Sequence, residues 1–396
     1  MVIGQFNDSF PPVIDGVANV AINYCRILNE CFGKCHMIIP RNPDTIGEFP
    51  FEVHSFKSYQ APFRKDYRWG FGKLDGLFWK ELSKIPFSIV HAHSPFSTGI
   101  VARQIARNAG IPLVATLHTK YREDFLSIMK WDRLVDNLVI KNIMRFYEAA
   151  DDVWTVNEAS IETLREYGYK GEVFVMNNGS DIPLTNRDEE TRISIMKKFS
   201  LNASAPLFAY VGQHIPQKNI MLIINALDII NKKGIDFNML FIGEGSARKW
   251  YQSLSEKRGL GKKVHFTGRI DDRDLLKRVY ASSEAILFPS LYDTSSLVPK
   301  EASSCLCPTV FVEGSTTAQG IIDGYNGFLT KNEPGDYAAK IMQIIATDGL
   351  ALKAGYGARD TLYVAWTDIV NDVYARYNYL IQKKREKAEL MNMRMV

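Results

Sequence analysis

The sequence stretch FPSLYDTSSLVPKEA, residues 288–302, decides how the whole chain is interpreted. A short apolar run ends at Phe288, a loop rich in Ser and Thr follows, and a helical pattern begins near Val298. Asp293 and Glu301 stand eight residues apart, just over two helical turns, so one carboxylate lies in the loop and the other on the helix. Carboxylate oxygens accept strong hydrogen bonds from hydroxyl groups, and free N–H groups at a helix start attract anions. The stretch therefore predicts a ligand site beyond the end of a strand.

Strand-like runs alternate with helical patterns on both sides of this stretch. The predicted strands are 2–6, 36–39, 51–56, 88–93, 113–118, 153–156, 173–176, 207–211, 239–242, 264–266, 285–288 and 309–312. Helical patterns include 17–29, 97–108, 191–199, 222–232 and 247–258. Such alternation is typical of α/β folds with parallel sheets, and the uniformly apolar strands indicate burial on both faces. Two such series in one chain predict two Rossmann-like domains.

The polar segment 181–190 is the predicted join between the two domains, because it combines a proline, an asparagine and a charge cluster. We expect an N-terminal domain over residues 1–185, completed by residues 367–396, and a C-terminal domain over residues 186–366. The last helical pattern, 368–384, is long and amphipathic, and the residues after it are basic and Met-rich.

The composition excludes several classes of protein. The chain has 396 residues, of which 46% are hydrophobic and 23% charged, and this balance excludes a mainly disordered chain. A formal net charge of +4 does not favour a dedicated nucleic-acid binder, so no nucleic-acid partner is expected. The 5 Cys residues are an odd number, which argues against a disulfide framework. No apolar run of about 18 residues and no signal-peptide pattern occur, so we expect a cytoplasmic protein.

Four further segments place reactive groups where strands end. Gly16 opens the first helix, where the backbone comes close to a ligand and free N–H groups attract anions. His118 ends a strand, the position at which ligands of open α/β sheets bind. Lys218 lies at a helix start in position to meet a phosphate, and Gly245 follows another strand in a glycine-rich turn. Taken singly, each has an ordinary structural explanation, such as a turn, a core histidine or a solvated lysine.

Together these five segments, in this order and at this spacing, resemble the family 4 glycosyltransferases of the GT-B fold over nearly the whole chain. Asp293 and Glu301 stand at the family's E-x7-E motif, with Asp in place of the first Glu. The stretch 314–329, which ends in GIIDGYNGFL, resembles the family's closing motif. Trp366 begins a helix similar to the family's final one, which crosses back to the first domain. The resemblance implies an α/β fold of two Rossmann-like domains facing across a cleft.

The resemblance also assigns a role to each matching residue. His118 would contact the donor sugar, Lys218 would neutralise the donor diphosphate and Asp293 would face the sugar hydroxyls, so these three are the expected catalytic residues. Glu301 would hold the ribose hydroxyls. The other expected donor-binding residues are Gly16 and Gln213 beside the diphosphate, Gly245 and Arg269 near the base, and the backbone N–H groups of Ser296, Leu297 and Val298.

The activity implied by the resemblance is retaining transfer of a hexose from a nucleotide sugar to a lipid or glycan acceptor. UDP-glucose is the expected donor, and neither a metal nor a cofactor is expected. In the mechanism proposed for the family, the leaving phosphate takes the acceptor proton, so no protein nucleophile is needed, unlike in most retaining hydrolases. Three positions depart from the family pattern: Gln213 replaces an arginine, Asp293 a glutamate and Gln319 another glutamate.

Two other functions stay open at this point. The three departures motivate a non-catalytic GT-B subunit that binds sugar or a partner glycosyltransferase. A nucleotide-sugar 2-epimerase would use the same fold and would need acid and base groups near the sugar.

Two metal-like patterns are interpreted as structural. The D-x-D pattern at 272–274 stands at a helix start and predicts a helix cap. Cys31, Cys35 and His36 lack a fourth ligand at zinc-site spacing.

Residues 59–84 interleave basic and aromatic side chains, as in lipid-modifying relatives of the family, and residues 118–125 resemble part of the bacterial diacylglycerol glucosyltransferases. One interpretation is contact with an anionic membrane surface, which attracts the cations and accommodates the aromatic rings. The protein would then be peripheral on the inner face of the cell membrane. The other interpretation is an ordinary acceptor-domain helix with buried aromatic side chains.

Overall fold

The computed structural model describes residues 1–13, 15–45, 47–61, 67–123, 133–291 and 293–393. The chain divides into two compact units, the first formed by Met1–Asn178 with Trp366–Val396 and the second by Gly179–Ala365. The boundary between Asn178 and Gly179 falls a few residues before the expected one at 185, since residues 179–185 group with the second unit.

The first unit is built on a seven-stranded parallel sheet. The strands of the first unit are β1 (Ile3–Phe6), β2 (Cys35–Pro40), β3 (Glu52–Phe56), β4 (Tyr59–Gln60), β5 (Arg68–Trp69), β6 (Ile89–Ala92), β7 (Leu113–Leu117), β8 (Asp152–Thr155) and β9 (Phe174–Val175), and all but β4 and β5 belong to this sheet. The sheet has the order β3-β2-β1-β6-β7-β8-β9, whereas β4 and β5 form a separate antiparallel pair. Its helices are α1 (Gly16–Cys31), α2 (Gly76–Leu82), α3 (Ser97–Ala109), α4 (Arg133–Tyr147) and α5 (Ala159–Glu166).

The second unit is built on a six-stranded parallel sheet of order β12-β11-β10-β13-β14-β15. Its strands are β10 (Leu207–Val211), β11 (Asn238–Ile242), β12 (Val264–Gly268), β13 (Ala285–Phe288), β14 (Thr309–Val312) and β15 (Phe328–Thr330). Its helices are α6 (Glu189–Lys198), α7 (Ile220–Lys232), α8 (Arg248–Lys257), α9 (Arg273–Ser282), α10 (Val298–Ser304), α11 (Pro334–Ala346) and α12 (Leu350–Leu362).

Strand β10 shows why the strands of the second unit are apolar throughout. Its side chains alternate, so that Phe208 and Tyr210 enter one hydrophobic core while Leu207 and Ala209 enter another. Successive strand residues point to opposite faces. Both faces of this sheet are therefore buried, as expected for a parallel sheet.

The last helix, α13 (Trp366–Met393), belongs to the first unit. Tyr374 stacks on Phe32 with ring centroids 4.1 Å apart, next to the end of α1. Arg376 forms two hydrogen bonds to the carboxylate of Asp152 on β8, at 2.8 and 2.9 Å. The prediction that the final helix returns to the first domain is confirmed.

The predicted elements occur in the structure with ends shifted by no more than two residues, apart from a final helix that is longer at its C-terminal end. Asp272 caps α9 by accepting from two backbone N–H groups, as its place at a helix start predicts. The structure adds the β4–β5 pair and strand β15, and the described residues of the segment 59–84 form this pair, a turn and α2 rather than a single helix. None of the helices that the structure describes has the length and apolar composition needed to cross a bilayer.

Gly243→Ala tests the packing of the second unit. Gly243 has φ 137°, and a Cβ there would lie 1.9 Å from the carbonyl oxygen of Gly212. The substitution should destabilise the unit by more than about 1 kcal/mol, because backbone atoms have to move and the residue keeps a left-handed conformation. Thermal unfolding measures the effect. Gly335→Ala is the control, since its Cβ would meet nothing within 4 Å; an equally small effect of both changes would contradict the prediction.

Candidate active site

Lys218 and Asp293 form an ion pair at the carboxyl edge of the second unit's sheet. Lys218 ends a short 3-10 turn after β10, and Asp293 lies in the loop between β13 and α10. Lys218 Nζ donates to Asp293 Oδ1, and the two side chains are only 15% and 16% exposed. Asn219 donates to the carbonyl of Pro289 at 3.2 Å and so ties the same two loops together. The structure thus brings together two of the three predicted catalytic residues.

Asp293 uses only one of its two carboxylate oxygens for this ion pair. Its backbone N–H donates to Ser290 Oγ at 3.3 Å, which fixes the start of the loop. Its second oxygen, Oδ2, is buried and accepts no hydrogen bond from the part of the chain that the structure describes. An unmatched buried carboxylate oxygen is energetically costly, so this atom is suited to accept a hydrogen bond from a ligand hydroxyl.

Glu301 is held from two sides on α10. The residue is 5% exposed. Arg273 donates to its Oε1 at 2.8 Å, and the Tyr280 hydroxyl donates to its Oε2 at 2.8 Å. Such partners offset the cost of burying a carboxylate. Each carboxylate oxygen keeps a further lone pair that can accept a hydrogen bond from a ligand hydroxyl.

Arg273 and Tyr280 are functional residues that the sequence analysis missed. Both lie on α9, and Arg273 also donates to Asp181. Burial by itself lowers the pKa of Arg273, but the negative charges of Glu301 and Asp181 raise it more, so the net pKa is raised and the guanidinium stays charged. The sequence could have indicated Arg273 only through its place in the D-x-D pattern at 272–274. That pattern was interpreted as a helix cap, on the basis of its two acidic residues.

Gly245 packs against the chain's own backbone. A Cβ on Gly245 would lie 2.4 Å from the carbonyl oxygen of His214. Together with Gly243, it lets the loop after β11 pass against the loop after β10. The glycine that was expected to admit a base is therefore already required by this loop contact.

The other predicted donor-binding residues of the second unit also follow strands of the sheet: Gln213 follows β10, Arg269 follows β12, and residues 296–298 follow β13. Gln213 is exposed, and its backbone carbonyl accepts from the Tyr210 hydroxyl at 3.0 Å. Arg269, 42% exposed, is ion-paired with Asp271. Ser296, Leu297 and Val298 lead into α10, where the Val298 N–H donates to Ser296 Oγ at 3.3 Å. These contacts locate the residues without testing their roles.

Gly16 opens α1 in the first unit beside the helix cap Asp15. Asp15 accepts from the backbone N–H of Ala18 at 2.8 Å and from the Tyr67 hydroxyl at 2.8 Å. A Cβ on Gly16 would meet no atom of the described residues within 4 Å. Packing thus supplies no reason for a glycine here, which fits a role in admitting a ligand to the helix start.

His118 ends a chain of buried hydrogen bonds below the sheet edge of the first unit. Its Nε2 lies 3.0 Å from His93 Nδ1, and His93 Nε2 lies 2.8 Å from the Gln5 side-chain oxygen. The Gln5 amide nitrogen is 3.1 Å from the Tyr377 hydroxyl, which is 2.5 Å from His91 Nδ1. His91 Nε2 completes the series 2.7 Å from Thr116 Oγ1. His118 was predicted as a site residue, but its partners come from four other elements.

Donor and acceptor matching fixes the protonation of this chain. Because the Gln5 oxygen only accepts, His93 carries its proton on Nε2 and accepts on Nδ1, so His118 donates from Nε2. An added proton on His93 Nδ1 would place two donors against each other. Burial accordingly lowers the pKa of all three histidines, that of His118 to about 3. His118 is therefore neutral, with Nδ1 as its acceptor nitrogen.

Asp8 is a third residue that the sequence analysis did not single out. It follows β1 and accepts from Ser94 Oγ and from the backbone N–H of Thr98 at 3.0 Å, near the start of α3. Burial raises the pKa of Asp8 to about 6, although these hydrogen bonds act in the opposite direction. A carboxyl group with this pKa exchanges its proton near neutral pH.

The two sheets and the carboxylate pair define the class of protein. Residues 14–183 match the family profile described as Glycosyltransferase Family 4, and residues 191–361 match the profile described as Glycosyl transferases group 1. The two matches together take in most of both units. The chain belongs to the family 4 glycosyltransferases of the GT-B fold.

Curated relatives agree with this assignment. An uncharacterized glycosyltransferase of Methanocaldococcus jannaschii is 26% identical over 74% of this chain and 75% of its own length. The alpha-monoglucosyldiacylglycerol synthase of Streptococcus pneumoniae is 24% identical over 78% of this chain and 70% of its own length. The enzyme of the same name from Acholeplasma laidlawii is 23% identical over 84% and 86%.

Solved structures share the fold. The Anabaena protein HepE in complex with UDP-glucose is 18% identical, with a TM-score of 0.76 over 96% of this chain and 100% of that one. A sucrose-phosphate synthase from Thermosynechococcus elongatus gives a TM-score of 0.76 at 19% identity over 97% of this chain and 100% of that one. The predicted fold class is confirmed.

Acid should destabilise the first unit more than the second because of the buried histidines. Their pKa values are lower in the folded chain than in the unfolded chain, so only the unfolded chain takes up these protons below about pH 6.5, and stability falls as pH falls. At pH 5 the lowered pKa of His118 alone should reduce the free energy of unfolding by on the order of 2 kcal/mol. Asp8 has the opposite effect, because its pKa is raised in the folded chain. It is a single group, however, against the three histidines of the hydrogen-bonded chain.

Hydrogen–deuterium exchange at pH 7.5 and 5.0, corrected for intrinsic exchange, measures this difference. Peptides from β6 and β7 should lose more protection than those from β10 and β11 of the second unit, where burial lowers the pKa values of only two histidines, His214 to about 4 and His265. Equal losses in both units, or unchanged protection in β6 and β7, would refute the neutral network.

Proposed function

We propose that the chain is a retaining, metal-independent glucosyltransferase that moves glucose from UDP-glucose to a lipid acceptor. The observation that carries the proposal is the arrangement of Lys218 and Asp293 on two adjoining loops of the second unit and of Glu301 on α10, which follows the second loop. It combines one cation, one carboxylate with an unmatched oxygen and one carboxylate locked by two donors.

Each of these groups meets a different part of the donor. Glu301 accepts hydrogen bonds from the ribose hydroxyls, while Asp293 Oδ2 accepts one from the hexose. Lys218 neutralises the diphosphate, whose negative charge grows as the bond to the sugar breaks. The anomeric carbon becomes oxocarbenium-like, and the leaving phosphate takes the proton of the acceptor hydroxyl. The resemblance pairs His118, which is neutral, with a hydroxyl of the donor sugar.

The relatives support the choice of donor and acceptor. The HepE structure contains UDP-glucose, and two relatives are by name synthases of a glucosylated diacylglycerol. Glucose and a diacylglycerol-type lipid are therefore the first substrates to test.

An exposed apolar surface in the first unit supports a lipid acceptor. Its side chains follow β3 in the β4–β5 pair, the turn and α2, and we call them the apolar platform: Tyr59, Trp69, Phe71, Leu74 and Leu77. Leu74 and Leu77 are 81% and 75% exposed. Adjacent large apolar side chains at such exposure mark an interaction surface rather than a folded core.

The charges around the apolar platform suit an anionic bilayer. Lys73, Lys80 and Lys84 are exposed beside it. Asp75 is buried, where it caps α2 and accepts from the Lys57 backbone N–H at 3.0 Å, and these contacts lower its pKa. Its charge is thus directed into the protein. We propose that this surface rests on the membrane containing the acceptor; Phe63, Arg64, Lys65 and Asp66 of the same segment lie outside the described residues.

Donor turnover tests the proposed reaction. With a chelator and diacylglycerol vesicles, the chain should release UDP from UDP-glucose and form an α-linked glucolipid. Lys218→Met should lower kcat by about 100-fold or more, because the leaving group loses its cation. Glu301→Gln should weaken UDP binding by about tenfold or more in calorimetry, because a ribose hydroxyl loses a charged acceptor.

Lys233→Met is the matched control, since Lys233 is exposed at the end of α7, at the opposite edge of the sheet from these loops. Unchanged UDP affinity in Glu301→Gln would exclude its ribose role. UDP binding without turnover on any acceptor would favour the non-catalytic subunit, whereas conversion of the sugar without an acceptor would favour the epimerase.

Membrane contact is tested by changing the apolar platform alone. Leu74→Ser with Leu77→Ser should reduce sedimentation with anionic vesicles by about tenfold or more, because the free energy of burying two leucine side chains is lost. Turnover of a short-chain, water-soluble acceptor should stay unchanged. Leu184→Ser, at another exposed leucine, is the control. Equal sedimentation of the double variant and the unchanged chain would contradict the contact.

A further inference from the structure

Three side chains with metal-binding atoms meet at one edge of the first unit's sheet. Strands β2 and β3 are parallel, with His36 opposite Glu52 and Ile38 opposite His54. Since side chains alternate along a strand, His36, Glu52 and His54 lie on the same face. The group is separate from the Lys218–Asp293 loops and from the histidine chain that ends at His118.

The three donor atoms form a nearly equilateral triangle. His36 Nδ1 and His54 Nε2 are 3.0 Å apart, and Glu52 Oε2 lies 3.4 Å from the first and 3.6 Å from the second. Ligand atoms about 2.0–2.1 Å from a tetrahedral zinc ion are separated by about 3.3–3.4 Å. The triangle therefore has the size of one face of a zinc coordination tetrahedron; the 3.0 Å contact is a hydrogen bond between the two imidazoles, which a cation would replace.

The surroundings of the triangle allow a cation to enter and hold the ligands in place. His36 is buried and its ring lies edge-on to Phe87, with centroids 5.7 Å apart, which limits its rotation. His54 and Glu52 are 21% and 60% exposed, so the fourth side of the tetrahedron faces solvent. Two imidazoles and one carboxylate suit Zn²⁺ and similar transition metals, whereas Ca²⁺ and Mg²⁺ require more oxygen ligands.

We propose that His36, Glu52 and His54 form a binding site for a divalent transition-metal cation of the Zn²⁺ type, with water as a fourth ligand. The cation clamps the edge strand β3 to β2. It is structural, and it takes no part in the proposed glucosyl transfer, for which we expect no dependence on a metal. The sequence analysis sought zinc ligands by spacing among Cys31, Cys35 and His36; the true neighbours of His36 are set by the register of β2 and β3.

Calorimetric titration of the chelator-stripped chain with ZnCl₂ tests the site. Saturable binding should be weakened by about tenfold or more in His54→Gln and in Glu52→Gln. Glu166→Gln, at an exposed carboxylate on α5 after β8, is the control and should bind like the unchanged chain. Thermal unfolding with chelator should give similar midpoints for all four proteins, and Zn²⁺ should raise the midpoint only where it binds.

Cobalt substitution identifies the ligands. Co²⁺ should give the visible absorption of a tetrahedral nitrogen and oxygen site, without the thiolate charge-transfer band that Cys31 or Cys35 would add. A thiolate band, absence of saturable binding, or unchanged affinity in both His54→Gln and Glu52→Gln would overturn the proposal. None of these results depends on glucosyl transfer, so the site and the activity stand or fall separately.

Discussion

The ion pair between Lys218 and Asp293 is the interaction on which the second unit's site depends. Either charge alone, at about 15% exposure, would carry a desolvation cost of several kcal/mol. Together they hold the loops after β10 and β13 at one point, and Asn219 fixes the same loops through the Pro289 carbonyl. In the proposed reaction, the donor diphosphate would bring new negative charge to Lys218. The sugar hydroxyls would then donate to Asp293, so the ligand that breaks the ion pair would also offset the cost of breaking it.

The two units solve the problem of buried polar groups in opposite ways. The second unit places a cation beside each of its two site carboxylates, Lys218 beside Asp293 and Arg273 beside Glu301, and this suits the charged, hydroxyl-rich ligand that we propose. The first unit keeps a chain of neutral rings, in which His118 is held by His93 and, through Gln5, by Tyr377 of the final helix. Because α13 supplies that tyrosine, the return of the chain to the first unit also determines how His118 is oriented.

The fold was largely predictable from the sequence, whereas the partners of the site residues were not. Apolar runs with glycine-ended turns specify β10 and β13, so the positions of Lys218 and Asp293 at strand ends followed from local pattern. The β4–β5 pair and strand β15 were not predicted, because strands of two or three residues are too short to show a hydrophobic periodicity. Arg273 and Tyr280 escaped for a different reason: their contact with Glu301 depends on how α9 packs beside α10, which only the tertiary structure specifies.

Strand β3 connects the proposed metal site to the apolar platform. Among the described strands it pairs with β2 alone, so it is held on one side only. Its start carries Glu52 and His54, while its end packs Phe56 against Phe78 of α2, with ring centroids 5.4 Å apart. The next residue, Lys57, is bound by Asp75 at the α2 cap. A surface that has to keep its shape while resting on a bilayer needs a fixed base, and a cation joining β3 to β2 supplies one at the edge where backbone pairing ends.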